Sequence, residues 1–170
     1  MKHIRKLTSW LLTIALIFTL LPVVAIRARA DEPTWGSEED GSSAHPYQID
    51  SKEKLEKFRN IVNGMNGETP NTAACAKLTA DIDLENEDWA PIGNHYDYTG
   101  TFEGNGHRII RLYVIGGDNC GLFGKIGTVG MVKNVSVSGT VNGSNYVGGI
   151  AGVNEGTVEN CLKMRRIMCR

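Results

Sequence analysis

The sequence predicts a mainly β protein: a short right-handed parallel β-helix (β-solenoid) of about four coils with an N-terminal capping α-helix. Three observations predict this fold. The phrase Gly-Leu-Phe-Gly at 121–124 returns as Gly-Ile-Ala-Gly at 149–152, a step of 28 along the chain. Sixteen of the twenty glycines fall between Gly93 and Gly156, where a coiled chain needs tight corners. A strand-like apolar pattern also recurs, and self-similarity at this period is typical of solenoids, propellers and arrays.

The apolar pattern has the form apolar-x-x-apolar-x-apolar and recurs in steps of 30, 23 and 26 along the chain. A single coil cannot bury its apolar side, whereas stacked coils share one core, so we assign residues 77–161 to the solenoid. The four copies of the pattern are Thr79/Ile82/Leu84, Ile109/Leu112/Val114, Val132/Val135/Val137 and Val158/Cys161/Lys163. The glycine phrases supply the structural repeat residues Gly121, Leu122, Phe123, Gly124, Gly149, Ile150, Ala151 and Gly152.

Residues 1–30 have the pattern of a secretory signal peptide. A basic start precedes an apolar run from Trp10 to Ile26, and Ala28-Arg29-Ala30 matches a signal peptidase site. An uncleaved membrane anchor is the alternative, because the run is about as long as a bilayer span. Pro22 and the Ala-x-Ala site favour cleavage after Ala30. The sequence therefore predicts a secreted or cell-surface protein that meets a membrane only through the signal peptide during export.

Residues 31–46 are rich in acidic residues, Gly, Ser and Pro, which predicts a flexible acidic leader. Within residues 47–76 we expect a helix and a loop, with Asp50 as the N-cap and Glu53 completing a capping box. Gly64 is expected to end the helix. A solenoid exposes the edge of its first coil, and the helix is expected to cover that edge. Its expected inward-facing residues are Leu55, Phe58, Ile61 and Val62.

The chain that follows the predicted signal peptide is acidic. Residues 31–170 carry 13 basic and 19 acidic side chains, a net charge of −6, and residues 31–160 alone carry −10. Such a surface does not attract nucleic acid or anionic lipid through its bulk charge. The partner classes that remain are a host or cell-surface protein and a glycan.

Residues 162–170 leave the repeat. Lys163 falls where the pattern requires an apolar residue, and the tail has four basic side chains and no glycine. Our hypothesis is that this tail is out of frame, so that the chain is a truncated fragment of a larger repeat protein. An uncovered last coil exposes unpaired strand backbone, and we expect self-association through that open C-terminal coil.

Five phrases within residues 45–161 share the pattern of a known repeat family. They are Pro91-Ile92-Gly93, the stretch from Tyr98 to His107, Gly121-Leu122-Phe123-Gly124, Val132-Lys133-Asn134, and the stretch from Val147 to Gly152. Together they resemble the GLUG-motif repeats of bacterial surface proteins, found in adhesin-like proteins and in non-catalytic regions of some immunoglobulin A-cleaving metallopeptidases. The resemblance implies a β-helical extracellular module with no catalytic residues. The context of Cys75 is unusual for the family, and the continuation after Cys161 is missing.

An acidic run that begins within the first predicted strand, where Asp81 and Asp83 share a face, is the best candidate for a binding site. Asp81, Asp83 and Glu85 form a weak candidate Ca²⁺ site, because this ion prefers oxygen ligands. A structural alternative is favoured, in which the step of 30 places Asp81 beside Arg111 as an ion pair between coils. That interpretation requires no metal or other cofactor. The same column would continue as a ladder of Asn134 and Asn160.

Catalysis is an alternative function, because polysaccharide lyases and related glycan-cleaving enzymes also have β-helical folds. Asp81, Asp83, Arg108 and Arg111 could converge as a glycan-cleaving site requires. The cluster lies on the first coil, with few coils to form a groove, so we predict no enzyme activity. The predicted function is a non-catalytic structural or adhesion module. The alternative is a non-catalytic β-helical segment of a surface peptidase or polysaccharide-degrading enzyme.

The remaining residues with useful chemistry are better explained by packing. Tyr96 and Tyr98, with Trp89 upstream, could stack on a sugar, but packing under a loop is favoured. No His-Glu-x-x-His motif occurs, and the three histidines at 45, 95 and 107 match no metal site. Four cysteines allow three disulfide pairings, yet small buried thiols are the favoured interpretation. These cysteines are Cys75, Cys120, Cys161 and Cys169.

Overall fold

The structure is a computed structural model that describes residues 33–163. The predicted signal peptide and residues 164–170 of the predicted tail lie outside the described residues. The fold below is that of the compact unit to which the described residues from Thr34 onward belong. The single helix in residues 33–163 is neither long nor apolar enough to cross a membrane.

One helix and thirteen short strands follow one another through the described residues. They are β1 (Tyr47–Ile49), α1 (Lys52–Asn63), β2 (Ala76–Leu78), β3 (Ile82–Asp83), β4 (Thr101–Glu103), β5 (Arg108–Ile115), β6 (Asp118–Cys120), β7 (Phe123–Ile126), β8 (Met131–Lys133), β9 (Ser136–Asn142), β10 (Asn145–Val147), β11 (Ala151–Asn154), β12 (Thr157–Glu159) and β13 (Leu162–Lys163).

The strands of the described residues pair in parallel. One sheet has five strands in the order β1-β2-β4-β8-β12, and another has four in the order β13-β9-β5-β3. Two smaller sheets pair β10 with β6 and β11 with β7. Neighbouring strands come from stretches of chain about one repeat apart, so the chain returns to the same sheets. The prediction of a mainly β fold with parallel strands and one helix is confirmed.

The repeat length varies from one strand pair to the next. Phe123 aligns with Ala151, which confirms the step of 28 read from the glycine phrases. In the four-stranded sheet the steps between aligned positions are 27, 28 and 26. The sequence pattern predicted 30, 23 and 26, so its first two steps are wrong. The aligned positions are Ile82, Ile109, Val137 and Lys163.

The predicted alignment failed because two copies of the apolar pattern include a residue with a left-handed backbone, at which the chain changes direction. Val132 pairs with Phe102 and not with Ile109. Both Val132 and Ile109 stand two positions before a residue with a left-handed backbone, Asn134 (φ 55°) and Arg111 (φ 56°). These two corners produce the same apolar spacing at different places in the repeat, and spacing alone cannot tell them apart.

Helix α1 begins one residue later than predicted. Ser51 is the N-cap, and its hydroxyl accepts a hydrogen bond from the Lys54 backbone N–H at 3.3 Å. Asp50 instead pairs with the Lys54 ammonium at 3.0 Å, so the predicted Asp50–Glu53 capping box is absent. The predicted end is confirmed, because Gly64 closes the helix with φ 65°. The predicted inward-facing residues are all buried: Leu55, Phe58, Ile61 and Val62.

The segment 34–46, which composition predicted as a flexible leader, contacts the first strand through Trp35 and Glu39. The Trp35 ring stacks on Tyr47 with the ring centroids 4.4 Å apart. The Glu39 carboxylate accepts a hydrogen bond from the Gln48 backbone N–H at 2.9 Å. This donor lies on β1, the outermost strand of its sheet. The segment therefore satisfies part of the strand edge.

An aromatic cluster joins the helix to the repeat. Phe58 of α1 lies 5.9 Å from Phe102 and 6.2 Å from Tyr98, measured between ring centroids. Phe123 of the first glycine phrase lies 5.4 Å from Phe102 and 5.1 Å from Tyr98. All four rings are fully buried. Aromatic pairs at such distances contribute about 0.5–1.5 kcal/mol each beyond their buried area, so the helix and the repeat share one core.

Candidate functional site

Two aspartate–arginine pairs lie on the exposed surface around β3 and β5. We call them the Asp–Arg cluster, comprising Asp81, Asp83, Arg108 and Arg111. Asp81 Oδ2 accepts hydrogen bonds from the Arg108 Nε at 3.0 Å and Nη2 at 2.7 Å. Asp81 Oδ1 accepts a third from the Arg108 backbone N–H at 2.9 Å. Paired contacts of this kind hold both side chains in a defined orientation.

The second pair in the cluster joins Asp83 to Arg111. The Arg111 Nη2 donates to Asp83 Oδ2 at 2.6 Å, and Arg111 Nε donates to Asp83 Oδ1. The Glu85 backbone N–H also donates to Asp83 Oδ1 at 2.9 Å. Arg111 stands where the β5–β9 pairing shifts register between Ile109 and Leu112. The irregularity in β5 therefore coincides with the residue that neutralises Asp83.

The rest of the acidic run is tied to helix α1. The Lys52 Nζ lies 2.9 Å from Glu85 Oε2 and 2.5 Å from Glu87 Oε2. Hydrogen bonds to these two carboxylates raise the pKa of Lys52, so it stays charged at neutral pH. Each predicted Ca²⁺ ligand, Asp81, Asp83 and Glu85, thus has a cationic partner.

The electrostatics of the Asp–Arg cluster favour ionised carboxylates. The Arg108 backbone N–H, followed by its guanidinium, lowers the pKa of Asp81. Hydrogen bonds from the Arg111 guanidinium are the main cause that lowers the pKa of Asp83. Between residues 33 and 163, no three or more His, Cys, Asp or Glu side chains are grouped so that they could hold a metal ion. The geometry is that of a salt-bridged surface, and Ca²⁺ binding stays a prediction.

The sequence predicted the wrong arginine as the partner of Asp81. The step of 30 assigned it to Arg111, whereas β3 aligns with β5 at a step of 27 and brings Asp81 to Arg108. The predicted asparagine ladder is present in part. Asn160 Nδ2 donates to Asn134 Oδ1 at 3.2 Å, but the Asn134 amide then donates to Glu103 Oε1 at 2.9 Å. The ladder therefore belongs to the five-stranded sheet and not to the column of Asp81.

A row of alternating charges crosses the same five-stranded sheet and was not predicted from the sequence. Strand register aligns Lys77 with Glu103, Glu103 with Lys133, and Lys133 with Glu159. The Lys133 ammonium lies 3.3 Å from Glu103 Oε2. A groove of about 210 Å³ lies over this row and also touches Cys75. The alternation of Lys and Glu along the chain, at the spacing of the repeat, was the available signal.

The predicted aromatic group does not form a surface site. Trp89 is buried, and its indole N–H donates to the Leu122 carbonyl at 3.1 Å. Tyr98 is fully buried, and its hydroxyl donates to the Ala74 carbonyl at 3.0 Å. Tyr96 alone of the three is exposed. The favoured interpretation, packing, holds for Trp89 and Tyr98.

His107 and the cysteines of the described residues have surroundings that do not form a binding site. His107 Nδ1 lies 3.3 Å from Asp81 Oδ1, beside the Asp–Arg cluster. Cys75 and Cys120 are buried and Cys161 is half-buried, and none of these three thiols is in a disulfide. Burial raises the pKa of Cys120 and of Cys161, which leaves them protonated at neutral pH. Cys169 lies outside the described residues.

The chain is similar in sequence to two curated proteins, although no family model matches it. It is 32% identical over 167 residues to "Putative Gly-rich membrane protein" of Evansella cellulosilytica, covering 94% of this chain and 19% of that protein. It is 34% identical over 137 residues to "Halomucin" of Haloquadratum walsbyi, covering 71% of this chain and 1% of that protein. The chain thus spans about a fifth or less of the relatives that it matches.

A solved structure has a similar fold. It is described as a "putative immunoglobulin A1 protease from Bacteroides ovatus" and superposes with a TM-score of 0.58. The match covers 76% of this chain and 40% of the other, at 21% sequence identity. At that identity the likeness concerns the fold alone.

Proposed function

We propose that the chain is a non-catalytic module of a secreted or cell-surface protein, folded as a parallel β-solenoid of GLUG-type repeats. The observation that carries the proposal is the parallel pairing of strands with their counterparts one repeat away, including the step of 28 between the glycine phrases. Each repeat would add one coil to a common core. One sequence relative is named as a membrane protein and the other as halomucin, and both names agree with a location at the cell surface.

The mechanism of such a module is physical. Stacked coils share backbone hydrogen bonds and a continuous core, which gives a stiff scaffold with side chains in rows on its outer faces. The charge row Lys77–Glu103–Lys133–Glu159 is one such face, and the Asp–Arg cluster is part of another. A partner could dock on these rows without any chemical step.

The Asp–Arg cluster supports a non-catalytic role. A glycan-cleaving site needs one carboxyl group with a raised pKa to act as an acid. The pKa values of Asp81 and Asp83 are both lowered, and each carboxylate is held by its own guanidinium. The cluster therefore lacks a proton donor of the kind that glycoside hydrolysis requires.

The proposal is tested by looking for both reaction and export. The full chain is produced in a bacterial secretion host, and the mature protein is expected in the medium with Asp31 as its first residue. It is then incubated with pectin, mucin-type glycans and immunoglobulin A, with no reducing ends, unsaturated ends or peptide fragments expected. Product formation that disappears in an Asp81→Asn/Asp83→Asn variant would overturn the non-catalytic role, and retention in the cytoplasm would overturn the location.

A second candidate function rests on the fold comparison. The chain could be a non-catalytic β-helical segment of a surface peptidase, because the similar structure bears a protease name and exceeds this chain in length. The two proposals differ in what accompanies the module in the same polypeptide. Sequencing the genomic DNA on both sides separates them: a peptidase domain in frame favours the second, and further repeats favour the first.

A further inference from the structure

Tyr146 combines an exposed aromatic ring with an unusual backbone. Its φ is 54°, in the left-handed region that aromatic residues rarely adopt. The side chain is 66% exposed. Within residues 33–163 it makes no hydrogen bond and no ring contact. Among the described residues, no hydrogen bond and no ring contact accounts for a large ring at this corner.

The preceding repeat shows what the backbone alone requires at this corner. Asn145 aligns with Asp118 and Val147 with Cys120, so Tyr146 occupies the place of Asn119. Asn119 has nearly the same φ, 56°. Asparagine is one of the few residues that adopt this conformation at little cost. A tyrosine in the same place is therefore not demanded by the fold.

Successive corners stack against the glycines of the repeat. A Cβ on Gly152 would lie 2.6 Å from the Asn119 Cα and 2.5 Å from the Tyr146 carbonyl oxygen. A Cβ on Gly124 would lie 3.1 Å from the Asn94 Cα and 3.3 Å from the Asn119 carbonyl oxygen. The backbones of Asn94 and Asn119 thus both lie close to Gly124, and those of Asn119 and Tyr146 both lie close to Gly152. We call these three residues the corner column.

The corner column also contains hydrogen-bonding groups that the described residues do not use. The side-chain amides of Asn94 and Asn119 make no hydrogen bond to any other described residue. Each amide can donate and accept. The neighbouring Asn145 is already engaged, since its Nδ2 donates to Asp118 Oδ1 at 2.9 Å. An exposed aromatic ring can stack on the C–H face of a sugar, and amides on the neighbouring backbone can bind its hydroxyl groups.

We propose that the corner column binds an uncharged oligosaccharide, with one sugar ring stacked on Tyr146 and hydroxyl groups bonded to Asn119 and Asn94. A protein partner is less well matched, because a protein interface usually has a cluster of apolar and aromatic residues at its centre. An acidic glycan is disfavoured by the net charge of −10 on residues 31–160. The Tyr146 side chain is largely exposed, so little surface would be buried and single-site binding should be in the millimolar range.

This inference deepens the proposed function, on which it rests, by naming a partner class. Different experimental results would contradict the proposed function and the sugar-binding proposal. Product release by an enzyme assay would overturn the non-catalytic role and leave the binding measurement unchanged. Absence of sugar binding would overturn the proposal that the corner column binds a sugar. The proposed non-catalytic function would not be affected.

The test is an NMR titration of the full chain with soluble oligomers of glucose, mannose, galactose and N-acetylglucosamine. We expect saturable shifts with at least one of them, weakened at least about tenfold by Tyr146→Asn. Asn119→Ala should weaken binding several-fold, whereas Tyr146→Phe should retain most of it. Because asparagine suits the backbone, Tyr146→Asn should leave the Tm equal or higher. Val129→Asn removes a side chain that is 75% exposed on another turn and serves as the control without effect.

Three results would overturn the proposal. One is the absence of saturable binding to all four sugar series. Another is unchanged binding by the Tyr146→Asn chain. The third is a lower Tm of that variant, because the ring would then serve the fold. If Tyr146 is instead required for capture of a protein from an extracellular extract stripped of glycans, the partner class is wrong and the sugar proposal fails.

Discussion

The two ends of the stack of strands are built differently. At the N-terminal end, helix α1 buries Leu55 and Phe58 completely, and the Glu39 carboxylate occupies a backbone donor of edge strand β1. At the C-terminal end of the described residues, Val158 is 36% exposed, although it aligns with the fully buried Val132. Leu162 is 65% exposed.

The difference teaches that a position in the repeat does not fix its own burial. Val132 and Val158 have the same residue type and the same register, yet only Val132 has strands on both sides, β4 and β12. Burial in a stacked fold comes from the neighbours on either side. The energetic weight of equivalent side chains should therefore fall from the N-terminal end toward β12 and β13.

The largest expected effect is the loss of the helix ring from the core. Phe58→Ala should lower the free energy of unfolding by about 3–5 kcal/mol, because it leaves a cavity among Tyr98 and Phe102. Val158→Ala, at the opposite end, should cost less than about 1 kcal/mol. Urea unfolding followed by circular dichroism measures both. Equal losses at the two ends would break the comparison.

A buried amide at the N-terminal end should have the next largest effect. Asn63 is 4% exposed; its Nδ2 donates to the Pro91 carbonyl at 2.9 Å, and its Oδ1 accepts from the Gly93 N–H at 2.8 Å. Asn63→Ala leaves both backbone groups buried without a partner, which should cost about 2–3 kcal/mol. The exposed ladder residue Asn160 is the matched control, and Asn160→Ala should stay within about 0.5 kcal/mol of the unmodified chain. A similar loss of unfolding free energy in both variants would mean that the buried hydrogen bonds of Asn63 stabilise the fold no more than the exposed ladder does.

The sequence predicted the parts of the fold that depend on local pattern. The spacing of Leu55, Phe58, Ile61 and Val62 gave the buried face of α1, and the glycine phrases gave the correct step of 28. The strand register was predicted only in part, because the left-handed residues Arg111 and Asn134 give the same apolar spacing at different places in the repeat. The N-cap was displaced because Asp50 and Ser51 are both good caps, and only the backbone conformation distinguishes them.

The candidate site depended on register and was predicted less well. The sequence identified the acids and arginines of the Asp–Arg cluster, but a repeat step of 30 in place of 27 gave Asp81 the wrong arginine. The strain at Tyr146 is a backbone property, and no composition or motif carries it. A comparison of Asn119 with Tyr146 at equivalent places in the repeat becomes possible only when the register is known.

The Asp–Arg cluster should make stability depend on acid. Asp81 and Asp83 have lowered pKa values in the folded chain, so they contribute stability above the unfolded value, about 3.9, and lose it as pH falls through their folded values. Both groups are exposed, so the effect should be small. The double variant Asp81→Asn/Asp83→Asn should be less stable than the unmodified chain at pH 6, and the gap should close in strong acid. A gap that stays constant with pH would show that the charges are not responsible.

The smallest expected change in stability concerns the C-terminal end, where it should accompany a change in association. We propose that the exposed apolar side chains of Val158 on β12 and Leu162 on β13 lead the chain to self-associate through these outer strands. Val158→Lys should cost less than about 1 kcal/mol, because this side chain is already partly in water, yet it should place a charge on the edge and raise the monomer fraction. Sedimentation velocity over a range of concentrations measures that fraction. Ile115→Lys adds the same charge on β5, at a 53% exposed side chain in the other large sheet, and should leave association unchanged. A chain that is monomeric at every concentration would contradict the proposal.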